Sequence, residues 1–343
     1  MDTMKHIVIQ ELNEKRYSRK HIDGYLKKAI TTSPSTVTKV NQGIQLVNEY
    51  MAKSYYESKN KRIAQLKKLD IEALVLDIFV GVCYCQTPEL FTSVTAKMAG
   101  RLKLSDKTEA ITTVAELMAV LCATDAFDIT KADKMASLMV ISRIPLTDAL
   151  LKYIEDSTYL PPMVCAPIEL VNNYTSGYLT HNDSLILGSG NHHDGDICLD
   201  VLNTINKVQL KLDTQFLSTV EEDPTKEFTL EWAHKKANES GKTITDGQAK
   251  ERIAKAMEHW HRFKVQGYAF YTLMAQQGNR IHFTHKVDKR GRIYAQGYHL
   301  TTQGTAFKKA SVELMHEELL TGVPWRYSCS MVVNCMVSTP VQS

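Results

Sequence analysis

Apolar residues recur at spacings of three and four along most of the first 160 residues, and a helix is the structure that brings such positions onto one face. The pattern runs through Ile44, Val47, Tyr50, Met51, Ile63, Leu66, Leu69, Leu74 and Ile78. Helix starts are indicated at Asp106, which has Glu109 three positions later, and at Thr147. Both residue types cap helix amino termini. We therefore predict an all-helical amino-terminal domain over residues 1–160.

The regular spacing stops at residues 161–198, a segment rich in proline, glycine and asparagine. Within it, "SGYLTH" and "SLILGS" are typical of short strands, so we predict a loop-rich connector. Helical spacing returns over residues 199–217, and two further helices are predicted over residues 229–240 and 245–274. The expected fold class is mainly α with a small β component, that is, α+β.

Composition narrows the class of protein. Of the 343 residues, 43% are hydrophobic and 23% charged, which is typical of a globular chain with roughly two or three structural units. No apolar run approaches the roughly 20 residues that cross a bilayer, so we expect a soluble protein with no membrane contact. Because no C-x-x-C spacing occurs, we expect reduced thiols in a cytoplasmic protein. The cysteines are Cys83, Cys85, Cys122, Cys165, Cys198, Cys329 and Cys335.

Three groups of residues suggest metal or redox chemistry, and each has a simpler interpretation. One loop contains His192, His193, Asp194, Asp196 and Cys198. No second ligand cluster stands at a recognisable spacing, so a solvated loop is the better interpretation. His259 and His261 lie two apart on a predicted helix and do not face each other. Cys83 and Cys85 lack the usual dithiol spacing, so we expect them in the helical core. We expect no metal ligands on this chain.

The stretch "HKVDKRGRIYAQG", residues 285–297, concentrates positive charge around a glycine. Arg290 and Arg292 flank Gly291, and the guanidinium group pairs well with phosphate oxygens. Neighbouring and more distant cations are Lys286, Lys289, Lys308, Lys309, Arg252, Lys255, Arg262 and Lys264. Such density fits nucleic-acid binding, because each neutralised phosphate adds to affinity. From these residues alone, a charged turn beside a strand is an equally good interpretation.

The order of residues favours the first interpretation. The stretch "VDKRGRIYAQGYHLTTQGTAFKKASVEL" resembles the D-x-x-G-R segment of single-subunit RNA polymerases, the family of bacteriophage and mitochondrial enzymes. The matching positions are Asp288, Gly291, Arg292, Tyr294, Gln303, Gly304 and Lys309. Upstream, "LPPMVCAPIELVNNYTSGYL" and "VLNTINKVQLKLDTQFL" look like two further landmarks of that family. The resemblance covers roughly residues 160–314.

The resemblance implies a right-hand polymerase architecture. Residues 1–160 would form the amino-terminal domain, residues 161–198 the connector, residues 199–280 the thumb, and residues 281–343 the start of the palm with a tail that faces a partner. It also implies nucleic-acid contacts for Arg292 and Lys309. With the local positive charge, the full predicted set is Lys289, Arg290, Arg292, Lys308, Lys309 and Arg262. Residues expected to shape the motif are Asp288, Gly291, Tyr294, Gln303 and Gly304.

One departure from the family is informative. The family's two metal-binding aspartates lie well after D-x-x-G-R, and the segment "PWRYSCSMVVNCMVSTPVQS" after this motif contains no Asp or Glu. We therefore expect Mg²⁺ to be held by a second polymerase subunit that carries palm and fingers. The expected function is half of a split, phage-type DNA-directed RNA polymerase in the cytoplasm of an infected bacterial cell, inactive alone.

The other partners expected on this basis are the DNA template, the RNA transcript, nucleoside triphosphates and a helper protein that binds single-stranded DNA. Two alternatives stay open from the sequence. The chain could be a truncated polymerase fragment, or a non-catalytic nucleic-acid-binding protein that shares the basic turn.

Overall fold

Helices dominate the computed structural model, which describes residues 2–100, 106–131, 137–188, 191–220 and 227–316. The residues that form the predicted partner-facing tail, including Cys329 and Cys335, lie outside these ranges. Small antiparallel sheets accompany the helices, so the expected mainly α, α+β class is confirmed. Within the described residues, no helix combines the length and apolar character needed to span a membrane.

The chain divides into two units, and the division falls inside the first helix. Residues 15–158 with the described part of 187–193 form one, here called the helical unit. Residues up to 14, residues 159–186 and the described residues from 194 onward form the other, here called the motif unit. The helical unit thus ends close to the predicted boundary at residue 160, whereas the first helix contributes most of its length to the motif unit.

Helices up to residue 158 follow the predicted periodicity. Their bounds are α1 (Asp2–Tyr17), α2 (Arg19–Thr32), α3 (Pro34–Ala52), α4 (Glu57–Leu66), α5 (Ile71–Cys83), α6 (Phe91–Ala99), α7 (Lys107–Leu121) and α8 (Asp148–Asp156). The predicted caps are confirmed, since Asp106 accepts from the backbone N–H of Glu109 and Thr147 from that of Leu150. The core contains Phe79 and Leu117, which are fully buried.

The prediction of an all-helical amino-terminal domain is wrong in one respect. A three-stranded antiparallel sheet, in the order β1-β3-β2, lies in the helical unit. Its strands are β1 (Glu89–Leu90), β2 (Phe127–Lys131) and β3 (Leu138–Ser142). The stretches "FDIT" and "LMVIS" carry the β-branched residues that favour strands. β2 and β3 each bury only part of their length, at Phe127 and Val140 respectively. Neither of these two strands therefore has a long alternating pattern of apolar and polar residues.

The motif unit contains the longest helix and a set of short strands. Its elements are α9 (Leu199–Asn206), β4 (Leu210–Leu212), α10 (Thr214–Thr219), α11 (Leu230–Glu239), α12 (Asp246–Gln276), β5 (His285–Val287), β6 (Ile293–Ala295), α13 (Ala306–Ala310) and β7 (Val312–Leu314). The helices predicted over 229–240 and 245–274 are confirmed as α11 and α12. The start of α12 is fixed by a capping box, in which Thr245 and Gln248 exchange side-chain and backbone hydrogen bonds.

The single helix predicted over residues 199–217 is wrong. The chain leaves the helical path after α9 and forms β4, which pairs with β7. Leu210 exchanges backbone hydrogen bonds of 2.8 Å with Ile281. The side chain of Asn279 accepts from the N–H of Leu212 and donates to its carbonyl oxygen. These pairings with a distant segment override the local helical spacing.

Neither "SGYLTH" nor the described part of "SLILGS" forms the predicted regular strand, although Ile186 in the second makes an isolated parallel β-bridge to Val287. In "SGYLTH" the backbone groups bond to a side chain instead. Glu14 on α1 is fully buried. Its carboxylate accepts from the backbone N–H groups of Leu179 and Thr180, at 3.0 and 2.8 Å, and from the Thr180 hydroxyl at 2.6 Å. Gln10 donates to the same carboxylate at 2.9 Å. The Glu14 carboxylate thus accepts the backbone hydrogen bonds that a neighbouring strand would otherwise accept.

The connector is in turn joined to β5. The Thr284 hydroxyl donates to the carbonyl oxygen of Ser176 at 2.9 Å. The N–H of Val287 donates to the carbonyl oxygen of Leu185 at 2.9 Å. Gly177 lies against Thr284 at a φ of +76°, where a side chain would collide with the Thr284 hydroxyl. The connector thereby fixes the strand that leads into the D-x-x-G-R turn.

We predict opposite effects of two Gly→Ala substitutions in the helical unit. A Cβ at Gly43 would lie 2.9 Å from a methyl group of Leu121 and 3.1 Å from one of Val75, whereas a Cβ at Gly24 meets nothing within 4 Å. Gly43→Ala should lower the free energy of unfolding by about 1 kcal/mol, because overpacking exceeds the gain in helix propensity. Gly24→Ala should raise it by about 0.5–1 kcal/mol. Urea unfolding followed by circular dichroism measures both, and equal effects would contradict the packing.

A second prediction concerns Glu14. Glu14→Gln keeps the shape but presents an NH₂ group to backbone N–H donors, so we expect the free energy of unfolding to fall by about 2–4 kcal/mol. Glu11 lies on the same helix and is partly exposed, so Glu11→Gln is the matched control, with an expected effect under about 0.5 kcal/mol. Hydrogen exchange at the Leu179 and Thr180 amides gives a local readout. Unchanged protection in Glu14→Gln would disprove the assigned role.

Candidate nucleic-acid interface

The D-x-x-G-R residues form the turn between β5 and β6. The N–H of Asp288 donates to the carbonyl oxygen of Arg292 at 3.0 Å, and the N–H of Gly291 donates to that of Asp288 at 2.9 Å. Gly291 has a φ of +78°, a conformation that glycine adopts without strain. Since a Cβ at this position would meet nothing within 4 Å, the backbone conformation of the turn is the reason for a glycine here.

The carboxylate of Asp288 organises the turn. One oxygen accepts from the backbone N–H groups of Arg290 and Arg292, at 2.9 and 3.0 Å. The other accepts from Nε and Nη2 of Arg292, at 2.7 and 2.6 Å. Partial burial alone would raise the pKa of Asp288, but the hydrogen bonds from Arg292 and Arg290 outweigh it and hold that pKa at about 2. Asp288 is therefore a stable anion that fixes its neighbours.

The ion pair with Asp288 orients Arg292 but leaves part of its guanidinium group available to another anion. The guanidinium bonds to Asp288 through its Nε and Nη2 edge, and its Cζ lies 5.7 Å from the ring centre of Tyr294. The side chain keeps 54% of its surface exposed. Lys289 and Arg290 are exposed beside it, so three cations stand against one carboxylate. The turn can present an oriented fork of N–H donors to a phosphate group.

Gln303 ties β6 to the residues that follow. Its side-chain oxygen accepts from the N–H of Ala295, and its NH₂ group donates to the carbonyl oxygen of Ile293, both at 3.0 Å. The amide therefore bonds to the outward-facing backbone of β6 as a neighbouring strand would. Gly304 follows with a φ of +114°, which turns the chain toward α13. Tyr294 on β6 lies close to Asp288, with its hydroxyl at a long 3.5 Å.

The two lysines of α13 have different surroundings. Thr305 caps this short helix by accepting from the N–H of Lys308. The Lys308 Nζ lies 4.0 Å from the ring centre of Tyr298 and 5.3 Å from that of Phe263. Burial lowers the pKa of Lys308, so this cation contacts aromatic rings and is only partly available to a phosphate. Lys309 lines an apolar cavity and is half-buried.

Arg262, the remaining predicted contact, lies on α12. Its guanidinium approaches Glu258 at 3.5 Å, one turn earlier on the same helix, and both side chains are exposed. Lys255 pairs in the same way with Glu251. Such exposed pairs contribute little to stability and can open to accept another anion. The basic character predicted for α12 is thus partly balanced by acids at i−4.

The sequence did not single out His299 or His285, which are buried near the basic residues. His299 lies against the rings of Phe263, Phe270 and Tyr298. Burial, with a smaller effect of Lys308, lowers the pKa of His299 to about 4, and burial lowers that of His285 to the same range. Both imidazoles are therefore neutral at physiological pH. In the sequence, these histidines are recognisable only by the apolar residues near them. That pattern does not distinguish a histidine of the core from one with a functional role.

The other candidate groups are placed as follows. The side chains of His192, His193, Asp194, Asp196 and Cys198 are exposed. Those of Cys83 and Cys85 are buried, as predicted. Burial raises the pKa of Cys83 to about 12 and that of Cys85 to about 11, with a smaller contribution from a neighbouring thiol or carboxylate. Within the described residues, no group of three His, Cys, Asp or Glu side chains is arranged to hold a metal ion.

No protein-family model matches the chain, and no curated protein is significantly similar to it. The polymerase resemblance therefore stays a prediction.

The ion pair in the turn gives a testable titration. Because the folded pKa of Asp288 lies below its ordinary value of about 3.9, this group stabilises the fold above that pH, and its contribution is lost as the pH falls through about 2. Arg292→Ala should raise the Asp288 pKa toward the ordinary value. Lys289→Ala, the control, should leave it unchanged. Carboxyl-carbon NMR follows the titration, and an unshifted pKa in Arg292→Ala would contradict the geometry.

Proposed function

We propose that this chain is the amino-terminal subunit of a heterodimeric, DNA-directed RNA polymerase of the single-subunit type. In this proposal residues 1–160 are the amino-terminal domain, residues 161–198 the connector, residues 199–280 the thumb, and residues 281–343 begin the palm. A second subunit supplies the fingers and the rest of the palm. The observation that carries the proposal is the turn in which Asp288 orients Arg292 beside exposed Lys289 and Arg290.

The geometry of this turn suits a sugar-phosphate backbone better than a small anion. The Nη1 side of Arg292 faces away from its carboxylate partner, so a phosphate can bind there while the pair with Asp288 stays intact. Since the carboxylate already restricts the guanidinium, little conformational entropy is lost when a phosphate binds. Arg290 and Lys289 add positive charge for neighbouring phosphates of the same strand. In the polymerase these would belong to the template or the RNA–DNA hybrid.

Asp288 does not fit a metal ion. Both of its oxygens are engaged by N–H groups of Arg290 and Arg292, and the adjacent guanidinium would repel a divalent cation. The proposal accordingly assigns Mg²⁺ to aspartates of the second subunit. The reaction of the complex is attack of the RNA 3′-hydroxyl on the α-phosphate of a nucleoside triphosphate, with release of pyrophosphate. This chain contributes positioning and positive charge, and alone it is expected to be inactive.

The proposed setting is the cytoplasm of an infected bacterial cell. There the complex would act on a DNA template, with a single-stranded-DNA-binding helper for template opening.

Arg292→Ala tests the proposal in the reconstituted complex. Co-expressing this chain with the product of the adjacent reading frame, with a tag on this chain alone, should give Mg²⁺-dependent RNA synthesis on single-stranded DNA. Arg292→Ala should slow extension by about 100-fold, because a template that lacks this backbone contact is misplaced relative to the reacting atoms. Arg292→Lys should also be impaired, because lysine cannot bond to Asp288 and a phosphate with one planar group.

Lys61→Ala is the control, an exposed cation on α4 to which no nucleic-acid contact is assigned, and it should reduce extension less than about twofold. DNA affinity is measured in parallel by fluorescence anisotropy. Equal losses of affinity and extension in Arg292→Ala would favour a binding module over a polymerase subunit. If no second chain co-purifies and no RNA is made while DNA is still bound, the polymerase proposal is wrong.

A further inference from the structure

The two edges of the β4–β7 sheet differ in whether other parts of the chain bond to their backbone groups. On the β4 side, Leu210 and Ile281 exchange backbone hydrogen bonds, and the Asn279 side chain bonds to both backbone groups of Leu212. This edge is therefore closed. A closed edge cannot pair with another strand.

The β7 edge is open within the described residues. β7 bonds to β4 through alternate residues, since Asp213 N–H donates to the Ser311 oxygen and Met315 N–H donates to the Gln209 oxygen. In an antiparallel pair, every second residue of a strand bonds to the partner strand, and the residues in between point their N–H and C=O groups away from it. Val312 therefore presents its backbone groups outward, and no strand of the described chain pairs there.

An apolar cavity of about 620 Å³ adjoins this edge. Its walls are mostly aliphatic, with few polar groups. The lining residues are Ile205, Val208, Leu210, Phe283, His285, Thr302, Lys309, Val312 and Leu314. Val208 is 41% and Leu314 46% exposed, so the apolar wall extends to the protein surface. An open strand edge and an apolar cavity lie side by side.

The polar side chains that line the cavity determine which charge a bound group should have. Nδ1 of His285 donates to the side-chain oxygen of Asn206 at 2.8 Å, and burial lowers the pKa of His285, so this imidazole is neutral. Lys309 lines the cavity and no acidic residue does. The cavity therefore has one cation over apolar walls. A nucleic-acid strand would require several cations and stacking surfaces, so a protein segment is the better occupant.

We propose that the β7 edge and its cavity are the docking site for an extended strand of the second polymerase subunit. The partner's backbone would add to β7, its alternate apolar side chains would enter the cavity, and an acidic side chain would face Lys309. This inference rests on the proposed function, because the partner is the subunit that supplies the metal-binding aspartates. It adds the place and the chemistry of assembly, which the function alone does not specify.

Three variants and one control test the site. Leu314→Pro removes an outward N–H that β4 does not use, so it blocks strand addition and leaves the β4–β7 bonds intact. Val208→Lys places a charge at the cavity wall. Val201→Lys is the matched control, because Val201 on α9 is 42% exposed and does not line the cavity. Lys309→Glu reverses the charge that the partner's acid would face.

Affinity for the purified second subunit is measured by calorimetry without nucleic acid, after circular dichroism has shown that each variant folds. Leu314→Pro, Val208→Lys and Lys309→Glu should each weaken binding at least tenfold, and Val201→Lys less than twofold. Equal affinity in all variants, with wild-type binding intact, would overturn the docking site and leave the polymerase proposal standing. No binding by the wild-type chain would overturn both.

Two other outcomes identify a different occupant. If the free chain is a dimer that Leu314→Pro dissociates, a second copy occupies the edge and the proposal is wrong. If Leu314→Pro and Val208→Lys lower the thermal stability of the free chain without affecting affinity, a segment of the same chain occupies it, and the proposal is again wrong.

Discussion

Glu14 brings a negative charge into the interior of the motif unit, and the connector is arranged around it. A buried carboxylate is costly unless hydrogen bonds replace water. Here the replacement comes from the backbone N–H groups of Leu179 and Thr180 and from the side chains of Thr180 and Gln10. These donors belong to a stretch that forms no regular strand, so Glu14 supplies the acceptors that a neighbouring strand would otherwise provide.

The same dependence extends to the candidate interface. The connector held by Glu14 bonds to β5 through Ser176 and Leu185, and β5 leads directly into the turn at Asp288. In the turn, a second carboxylate repeats the principle at the surface, where it holds Arg292. Acidic side chains thus position the cation in two stages: one fixes the backbone that supports the turn, and the other orients the guanidinium.

Helix caps could be predicted from a few neighbouring residues, whereas pairings between segments distant in the sequence could not. The capping box at Thr245 lies within four residues, so the start of α12 could be predicted. β4 exists because Leu210 pairs with Ile281, a contact that no window around Leu210 contains. Glu14 looks like a surface acid on a polar helix until the connector is placed over it. Within the candidate site, Asp288 and Arg292 lie in one turn because they are close in the sequence. The surroundings of Lys308 depend on the rings of Tyr298 and of Phe263 on α12, and could not be predicted from α13 alone.

Gln303 has a consequence for the behaviour of the chain in solution. Its amide occupies the outward backbone of β6, and the connector occupies that of β5. Together with the charge of Lys286 in β5, this coverage protects the hairpin that carries the basic turn against edge-to-edge aggregation, and neither strand contains a proline. The edge of β6 is covered only while the Gln303 amide is bonded to it. If the short segment that contains Gln303 unfolds, that edge becomes exposed and the unit becomes less soluble.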